Sequence, residues 1–201
     1  MKWLIASDLH GSYYYTKKLF ASWQAERADR MLLLGDLLYH GPRNDLPAEY
    51  DPKAVIELLN EHKSDLLCVR GNCEAEVDQM VLQFPVLADY ALLSLSSRLI
   101  FATHGHHFHK DNPPPLRPGD ILLHGHTHVP AWEPFRIAAG TCYYFNPGSI
   151  SIPKNGSHHG YLILEEGGSD EENRFSWKDL DGGLVHTCTL PHTVNESPDL
   201  G

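Results

Sequence analysis

Residues 121–128 place the strongest single constraint on how this chain folds. A short apolar run, residues 121–123, is followed by three histidines at alternate positions, His124, His126 and His128, with a glycine between the first two. Histidine is rarely buried completely, so core packing alone does not explain three histidines in five residues. The pattern predicts a strand that runs into a loop and presents imidazoles just beyond its end. Taken alone, His126 and His128 could equally belong to a solvated loop.

The same arrangement, an apolar strand followed by a metal-binding type of side chain, recurs along the chain. It follows the predicted strands 3–6, 31–34, 66–69 and 99–102. In an open α/β sheet, ligand sites form beyond the carboxyl ends of the strands, so these side chains are predicted to converge. The predicted set is Asp8, His10, Asp36, Asn72, His104, His126 and His128.

The chemistry of this set predicts two metal ions. Seven oxygen and nitrogen donors are too many for one tetrahedral zinc ion, but they suit two divalent ions about 3.5–4 Å apart with a bridging carboxylate. The set contains no cysteine, which favours manganese, iron, nickel or catalytic zinc over a structural zinc site. Two such ions would lower the pKa of a shared water toward about 7 and hold both oxygens of an in-line displacement at phosphorus.

Length and composition favour one soluble domain. The 201 residues suit a single domain, 1–201, with a frayed tail from residue 193. A formal charge of −10 leaves no basic stripe for a nucleic-acid polymer, so binding to one is not expected. No apolar run reaches membrane-spanning length, and an acid at residue 8 comes too early for a signal peptide. With no secretory signal, the four cysteines predict reduced thiols in the cytoplasm.

The remaining patterns indicate an α/β chain whose second half is mostly strands. Helices are predicted over about 13–28, from Asp51 as N-cap with Pro52 in the first turn, and over about 75–82. A hairpin is predicted around residues 96–97, and residues 112–119, with four prolines, predict an irregular connector. Further strands are predicted over 131–137, 143–145, 161–164, 174–180 and 184–190.

Five blocks of the sequence together resemble the calcineurin-like metallophosphoesterases. In chain order they are Asp8-x-His10, Gly35-Asp36, Gly71-Asn72, His104 and Gly125-His126-x-His128. The segments 40–44, 69–73, 103–106 and 145–149 resemble, more narrowly, the bacterial YfcE phosphodiesterase subfamily. The resemblance covers about residues 1–164, and the acidic C-terminal part matches poorly. It implies a four-layer α/β sandwich, with two mixed β-sheets flanked by helices.

The resemblance also implies an activity and a role for each ligand. It implies a phosphodiesterase that hydrolyses a small phosphodiester with two divalent ions, Mn²⁺ first, with Ni²⁺, Fe²⁺ or Zn²⁺ as alternatives. A hydroxide that bridges the two ions would be the nucleophile. In this assignment Asp36 bridges the ions, and the other ligands divide into Asp8, His10 and His128 on one ion and Asn72, His104 and His126 on the other. Asn72 and His104 also count among the catalytic residues.

Three further residues have candidate roles in catalysis. Many members of the family have a phosphate-binding, proton-donating histidine after the Gly-Asn pair, where this chain has Cys73. A thiol with an ordinary pKa of about 8.5 could donate the proton, or lie beside the metals as a thiolate. We therefore expect weak general-acid catalysis and a preference for good leaving groups, such as aryl phosphodiesters. His106 is either another donor or a solvated loop histidine, and Arg43 is either a phosphate-binding residue or a solvated charge.

Three other functions stay open on sequence grounds. A protein-interaction scaffold with the same fold would lack ligands, and none of the seven is missing. A metal-buffering or metal-sensing protein, suggested by the additional histidines, would bind metal without turnover. A phosphomonoesterase or nucleotide pyrophosphatase would use the same metals with a different pocket. The patterns leave the oligomeric state open, including a homo-oligomer. The additional histidines are His106, His107, His109, His158 and His159.

Overall fold

The computed structural model describes residues 1–168 and 172–190, so the predicted tail from residue 193 lies outside the described residues. Regular structure follows the predicted order along the chain. The helices are α1 (Tyr13–Glu26), α2 (Pro52–Glu61) and α3 (Glu76–Val81). The strands are β1 (Lys2–Ala6), β2 (Arg30–Leu33), β3 (Leu66–Cys68), β4 (Tyr90–Leu95), β5 (Arg98–Thr103), β6 (Ile121–His124), β7 (Ala131–Ile137), β8 (Gly140–Asn146), β9 (Gly160–Glu165), β10 (Asn173–Asp179) and β11 (Leu184–Leu190).

The strands form two mixed sheets. One has six strands in the order β11-β10-β9-β1-β2-β3, in which β1, β2 and β3 are parallel. The other has five strands in the order β4-β5-β6-β8-β7, in which β5, β6 and β8 are parallel. The expected α/β sandwich of two mixed sheets is therefore confirmed. The seven predicted ligands all follow strands from these two parallel groups.

The central strands β1, β2 and β9 of the six-stranded sheet are buried on both faces. In β1, Leu4 packs in a cluster with Leu19 of α1 and Val55 of α2, while Trp3 and Ile5 pack in a second cluster that joins both sheets. Successive side chains of a strand point to opposite faces, so β1 contributes to both clusters. Burial on both faces explains why β1 and β2 have continuous apolar sequences.

The helix ends have local causes. Ser12 precedes α1, and its side-chain oxygen accepts a hydrogen bond from the Tyr15 N–H at 3.3 Å. The helix ends at Glu26, two residues before the predicted end, and its C-cap residue Arg27 has a left-handed φ of 52°. At α2 the predicted cap is present, because the Asp51 carboxylate accepts a hydrogen bond from the Ala54 N–H at 3.1 Å.

Prolines lie where the backbone tolerates a residue without an N–H. Pro134 lies in β7, which is an edge strand of the five-stranded sheet and therefore tolerates a residue without an N–H. Residues 112–119 form no helix or strand, as expected.

No helix in residues 1–168 and 172–190 is long and apolar enough to cross a membrane.

Candidate metal centre

The loops that carry the predicted ligands are joined by backbone hydrogen bonds. Beyond β1, the Asp8 N–H donates to Gly35 O at 3.1 Å, and the His10 N–H donates to Asp36 O at 2.8 Å. These bonds fix the loop after β1 against the loop after β2. The Ser149 and Ser151 hydroxyls donate to Asp8 O at 2.9 and 2.7 Å, which holds the loop from the opposite side.

Asp8, His10 and His128 form the first donor group. His10 Nε2 lies 3.3 Å from His128 Nε2 and 3.7 Å from Asp8 Oδ1, and His128 Nε2 lies 3.3 Å from the same oxygen. The Nδ1 atoms of both histidines face backbone carbonyls, those of Tyr39 and Ile152. A carbonyl can only accept, so each Nδ1 carries a hydrogen, and in the neutral form that a metal ligand requires, the lone pair of each Nε2 faces the centre.

Asp36, Asn72, His104 and His126 form the second donor group. His104 Nε2 lies 3.0 Å from Asn72 Oδ1, 3.1 Å from His126 Nδ1 and 3.5 Å from Asp36 Oδ1. The Nδ1 of His104 donates to Leu34 O at 2.7 Å, which again leaves its Nε2 lone pair directed inward. The structure thus brings all seven predicted ligands together, and metal binding by each of them stays a prediction.

Asp36 is common to both groups. Its Oδ1 faces His104 of the second donor group, and its Oδ2 lies 3.8 Å from His10 Nε2 of the first. The candidate metal-binding triads Asp8–His10–His128 and Asp8–Asp36–His104 each have donor atoms within 4.8 Å of one another. A third triad, His10–Asp36–Cys73, adds the thiol, which the sequence analysis had left outside the ligand set.

The donor chemistry fits divalent metal ions. Asp8 Oδ1 is buried and has no hydrogen-bond partner, although two imidazole nitrogens lie within 4 Å of it. Burial would raise the pKa of Asp8, but with no metal ion bound, hydrogen bonds from protonated His10 and His128 outweigh it and hold the pKa well below its ordinary value. A buried carboxylate that faces nitrogen lone pairs is stabilised by a cation between them.

The backbone at the centre is strained. Five of the seven predicted ligands have left-handed φ angles between 48° and 65°. Such conformations cost about 1–3 kcal/mol each and cluster at functional sites, where surrounding structure holds them in place. The five residues are Asp8, His10, Asp36, His126 and His128.

A cavity of about 310 Å³, hereafter the main cavity, opens onto the two donor groups. Ligands from both groups line it, together with Arg43 and Cys73, so the structure places both of these candidate catalytic residues beside the centre. Lys154, which the sequence analysis did not single out, lines the same cavity. Nothing in the spacing of residues around Lys154 indicates this position.

Cys73 contacts the shared carboxylate. Its N–H donates to Asp36 Oδ1 at 2.9 Å, and its thiol donates to Asp36 Oδ2 at 3.2 Å. Burial, followed by the charge and hydrogen bond of Asp36, raises the pKa of the Cys73 thiol well above its ordinary value. The protonated thiol is therefore favoured over the thiolate in this arrangement.

His106 lies near the centre but faces a different cavity. Its ring centroid is 5.4 Å from that of His104 and 6.2 Å from that of His126. It lines a second cavity of about 330 Å³ with His126 and Tyr144, whereas the main cavity is lined by Arg43 and Cys73. Burial, followed by the charge of His104, lowers the pKa of His106 to about 4. Its role as a proton donor stays a prediction.

Glu74 is a buried residue beside the centre that the sequence analysis missed. The side chain is buried, and its carboxylate accepts backbone hydrogen bonds from Asp36 at 2.9 Å, from Leu37 at 2.7 Å and from Gly71. It thereby joins the loop after β2 to the loop after β3. Burial, followed by the charge of Asp36, raises the pKa of Glu74. The sequence feature that could have indicated Glu74 is its position directly after the Gly71-Asn72-Cys73 block.

Comparison with known proteins agrees with this geometry. The model of the calcineurin-like phosphoesterase superfamily domain matches residues 1–169. Phosphodiesterase YfcE of Escherichia coli K12 is 44% identical over 165 residues, which cover 82% of this chain and 88% of that protein.

Solved structures show the same fold. The structure of the E. coli phosphoesterase YfcE has a TM-score of 0.83 at 40% identity, and the match covers 93% of this chain and 98% of that one. Vacuolar protein sorting 29 from Cryptosporidium parvum has a TM-score of 0.60 at 15% identity over 94% of this chain and 97% of its own, which shows a common fold alone. The five blocks, their convergence at the strand ends and these matches lead to one conclusion: the chain belongs to the calcineurin-like phosphoesterase superfamily.

Proposed function

We propose that this chain is a metal-dependent phosphodiesterase that hydrolyses a small phosphodiester at a dinuclear centre. Superfamily membership and the 44% identity to a protein named Phosphodiesterase YfcE support the reaction class. Two divalent ions, Mn²⁺ in the first place, would supply a hydroxide nucleophile that bridges them and polarise the phosphoryl oxygens.

The observation that carries the proposal is the position of Asp36. One carboxylate oxygen faces each donor group, at 3.5 Å from His104 Nε2 and 3.8 Å from His10 Nε2. A carboxylate with both oxygens used in this way is the expected bridge between two ions. The proposed ligands are therefore Asp8, His10 and His128 for one ion and Asn72, His104 and His126 for the other, with Asp36 between them.

The chain's own residues would position the substrate and move the proton. Arg43 has a guanidinium that can bind two phosphoryl oxygens at once, and it lines the main cavity with the ligands. Cys73, kept as a thiol by its contact with Asp36, would donate a proton to the leaving oxygen. A thiol is a weak acid at neutral pH, so we expect good leaving groups to be preferred.

Other features of the proposal follow from charge and cysteines. The net charge of −10 is consistent with a small substrate and not with a nucleic-acid polymer. All four cysteines are free thiols, which suits a reducing compartment such as the cytoplasm. We also propose that residues 1–201 act as one domain.

The test is hydrolysis of bis-(p-nitrophenyl) phosphate by metal-stripped protein, before and after Mn²⁺ is added. Mn²⁺ should restore turnover, and Asp36→Asn should reduce it by at least about 100-fold, because removal of a metal ligand disrupts both ions. Asp181→Asn is the matched control, since the Asp181 side chain is 82% exposed and paired with Lys18.

Three outcomes would overturn the proposal. Tight Mn²⁺ binding without turnover would instead support a metal-handling or scaffold protein. Faster turnover of p-nitrophenyl phosphate than of the diester would support a phosphomonoesterase, and selective turnover of nucleoside diphosphate derivatives would support a nucleotide pyrophosphatase.

A further inference from the structure

Lys154 is fixed beside the metal centre by its backbone. Its N–H donates to His128 O at 3.1 Å. The Ser157 hydroxyl lies 2.7 Å from Lys154 O and 3.3 Å from His128 O, so it contacts both carbonyls. These bonds attach the loop that follows Ile152 directly to a residue of the first donor group. Lys154 lies outside all the blocks that carry the family resemblance.

The charge of Lys154 has no partner in the part of the chain that the structure describes. Among the described residues, neither Lys154 nor Arg43 forms a side-chain ion pair or hydrogen bond. By contrast, Lys2, Lys110 and Lys178 are all paired with carboxylates. Arg43 and Lys154 therefore place two cations without a carboxylate partner among the described residues at the same cavity.

A simple diester does not require this many positive charges. Two divalent ions carry a charge of about +4, and the carboxylates of Asp8 and Asp36 reduce the net charge of the centre to about +2. A hydroxide nucleophile and the single charge of a diester neutralise this remainder. Arg43 can offset the charge that develops on the phosphoryl oxygens during displacement. The Lys154 ammonium is then available for a further negative charge.

We propose that Lys154 determines specificity by binding a second anionic group, carried by one of the two alcohols of the substrate. The natural substrate would then be a phosphodiester of an alcohol with a carboxylate or a phosphate. This inference rests on the proposed phosphodiesterase function and deepens it. An ammonium group is a point charge that suits either anion, and the main cavity of about 310 Å³ has room for a substituent beside the phosphorus.

The test compares two substrates that differ by one charge. Carboxymethyl p-nitrophenyl phosphate and carbamoylmethyl p-nitrophenyl phosphate have nearly the same shape, and both release p-nitrophenolate. With Mn²⁺ at low salt, the protein should have about a three-fold higher kcat/KM for the carboxylate, the order expected of an accessible ion pair. The preference should reside in KM and should shrink as salt is added. A phosphonomethyl ester as a third substrate distinguishes a phosphate-type anion from a carboxylate.

Variants assign the preference to one side chain. Lys154→Gln should lower the ratio of the two kcat/KM values to about one, and Lys154→Arg should retain it. Lys63→Gln removes the same charge and should leave the ratio unchanged. Lys63 is the matched control because it lies just before β3, at the sheet edge opposite the ligands, and its ammonium is bonded to Gln83.

The failures of the two proposals are distinguishable. If neither ester is hydrolysed, the phosphodiesterase proposal fails. The role of Lys154 can then still be tested by calorimetry, which compares the affinities of the Mn²⁺-loaded protein for carboxymethyl phosphate and for carbamoylmethyl phosphate. An equal loss on both esters in Lys154→Gln would mean that Lys154 contacts the reacting phosphate and would overturn the inference. So would the absence of a charge preference in the unaltered protein.

Discussion

Glu74→Gln tests whether one buried carboxylate holds the metal centre together. The Glu74 carboxylate accepts three backbone N–H groups, of which those of Asp36 and Gly71 share one oxygen and that of Leu37 uses the other. Glutamine has nearly the same size but only one acceptor oxygen. Its best orientation keeps the bonds to Asp36 and Gly71 and turns an NH₂ group toward the Leu37 N–H.

The magnitude follows from this count of hydrogen bonds. One buried donor without a partner costs about 1–3 kcal/mol, and each of the two remaining bonds loses about 1 kcal/mol when its acceptor is no longer charged. Removal of a buried negative charge beside Asp36 offsets part of the loss. We expect the free energy of unfolding at pH 7 to fall by about 2 kcal/mol. Loss of the Leu37 bond lets the backbone of the adjacent Asp36 shift, so Mn²⁺ affinity should fall by about 10- to 100-fold.

Two measurements separate these effects. Urea denaturation in the presence of a chelator gives the free energy of unfolding without a metal contribution, and calorimetric titration gives Mn²⁺ affinity. Glu57→Gln, at an exposed position of α2, is the control and should stay within about 0.5 kcal/mol. If Glu74→Gln unfolds like this control and binds Mn²⁺ as tightly as the unaltered protein, the argument from hydrogen bonding is refuted.

Four further results are expected. Burial would raise the pKa of Glu26, but hydrogen bonds from Lys178 and Lys2 outweigh it and lower that pKa. The stabilisation is therefore fully present above about pH 4.3 and lost as the pH falls through the lowered pKa, so Glu26→Gln should cost about 1 kcal/mol in urea denaturation at pH 7 and progressively less in acid. Gly71→Ala should abolish Mn²⁺ binding in calorimetry, because the added Cβ would lie 2.2 Å from Asp36 Oδ1. Cys73→Ala should slow hydrolysis of alkyl esters more than aryl esters, seen as a steeper dependence of kcat on leaving-group pKa; an unchanged slope would exclude the thiol as donor. At 100 times Kd, Mn²⁺ should stabilise the folded protein by about 2.7 kcal/mol per site. The Tm should therefore rise, and a chelator should reverse the rise.

The sequence predicts most of the elements because their signals are local. The apolar runs of β1 and β2 mark strands buried on two faces, and the polar residues that follow them mark the strand exits. The pairing of β9 beside β1 has no such local signal, since an antiparallel neighbour 160 residues away leaves no pattern in either strand. The division into two sheets was therefore expected from the family resemblance and not from the periodicity.

The same distinction between local and non-local signals applies to the residues of the candidate site. Its proposed ligands could be predicted because each is an unusual residue at a strand exit. Glu74 was missed because a buried acid and a surface acid look alike in sequence, and its burial depends on N–H groups from two separate loops. Lys154 reaches the main cavity only because its loop is bonded to His128, a contact between residues 26 positions apart. Neither role can be read from neighbours along the chain.

The left-handed backbone at the centre limits how its metal preference could be redesigned. Asparagine, aspartate and histidine adopt this conformation more readily than other non-glycine residues, and the five left-handed ligands are all aspartate or histidine. Backbone geometry and metal chemistry therefore select the same few side chains. A softer ligand such as cysteine at position 8, 36 or 128 would add roughly 1–2 kcal/mol of backbone strain to any change in metal affinity. Exchange among aspartate, asparagine and histidine should therefore disturb the loop conformations least, and it is the route we expect for changing the metal preference of this centre.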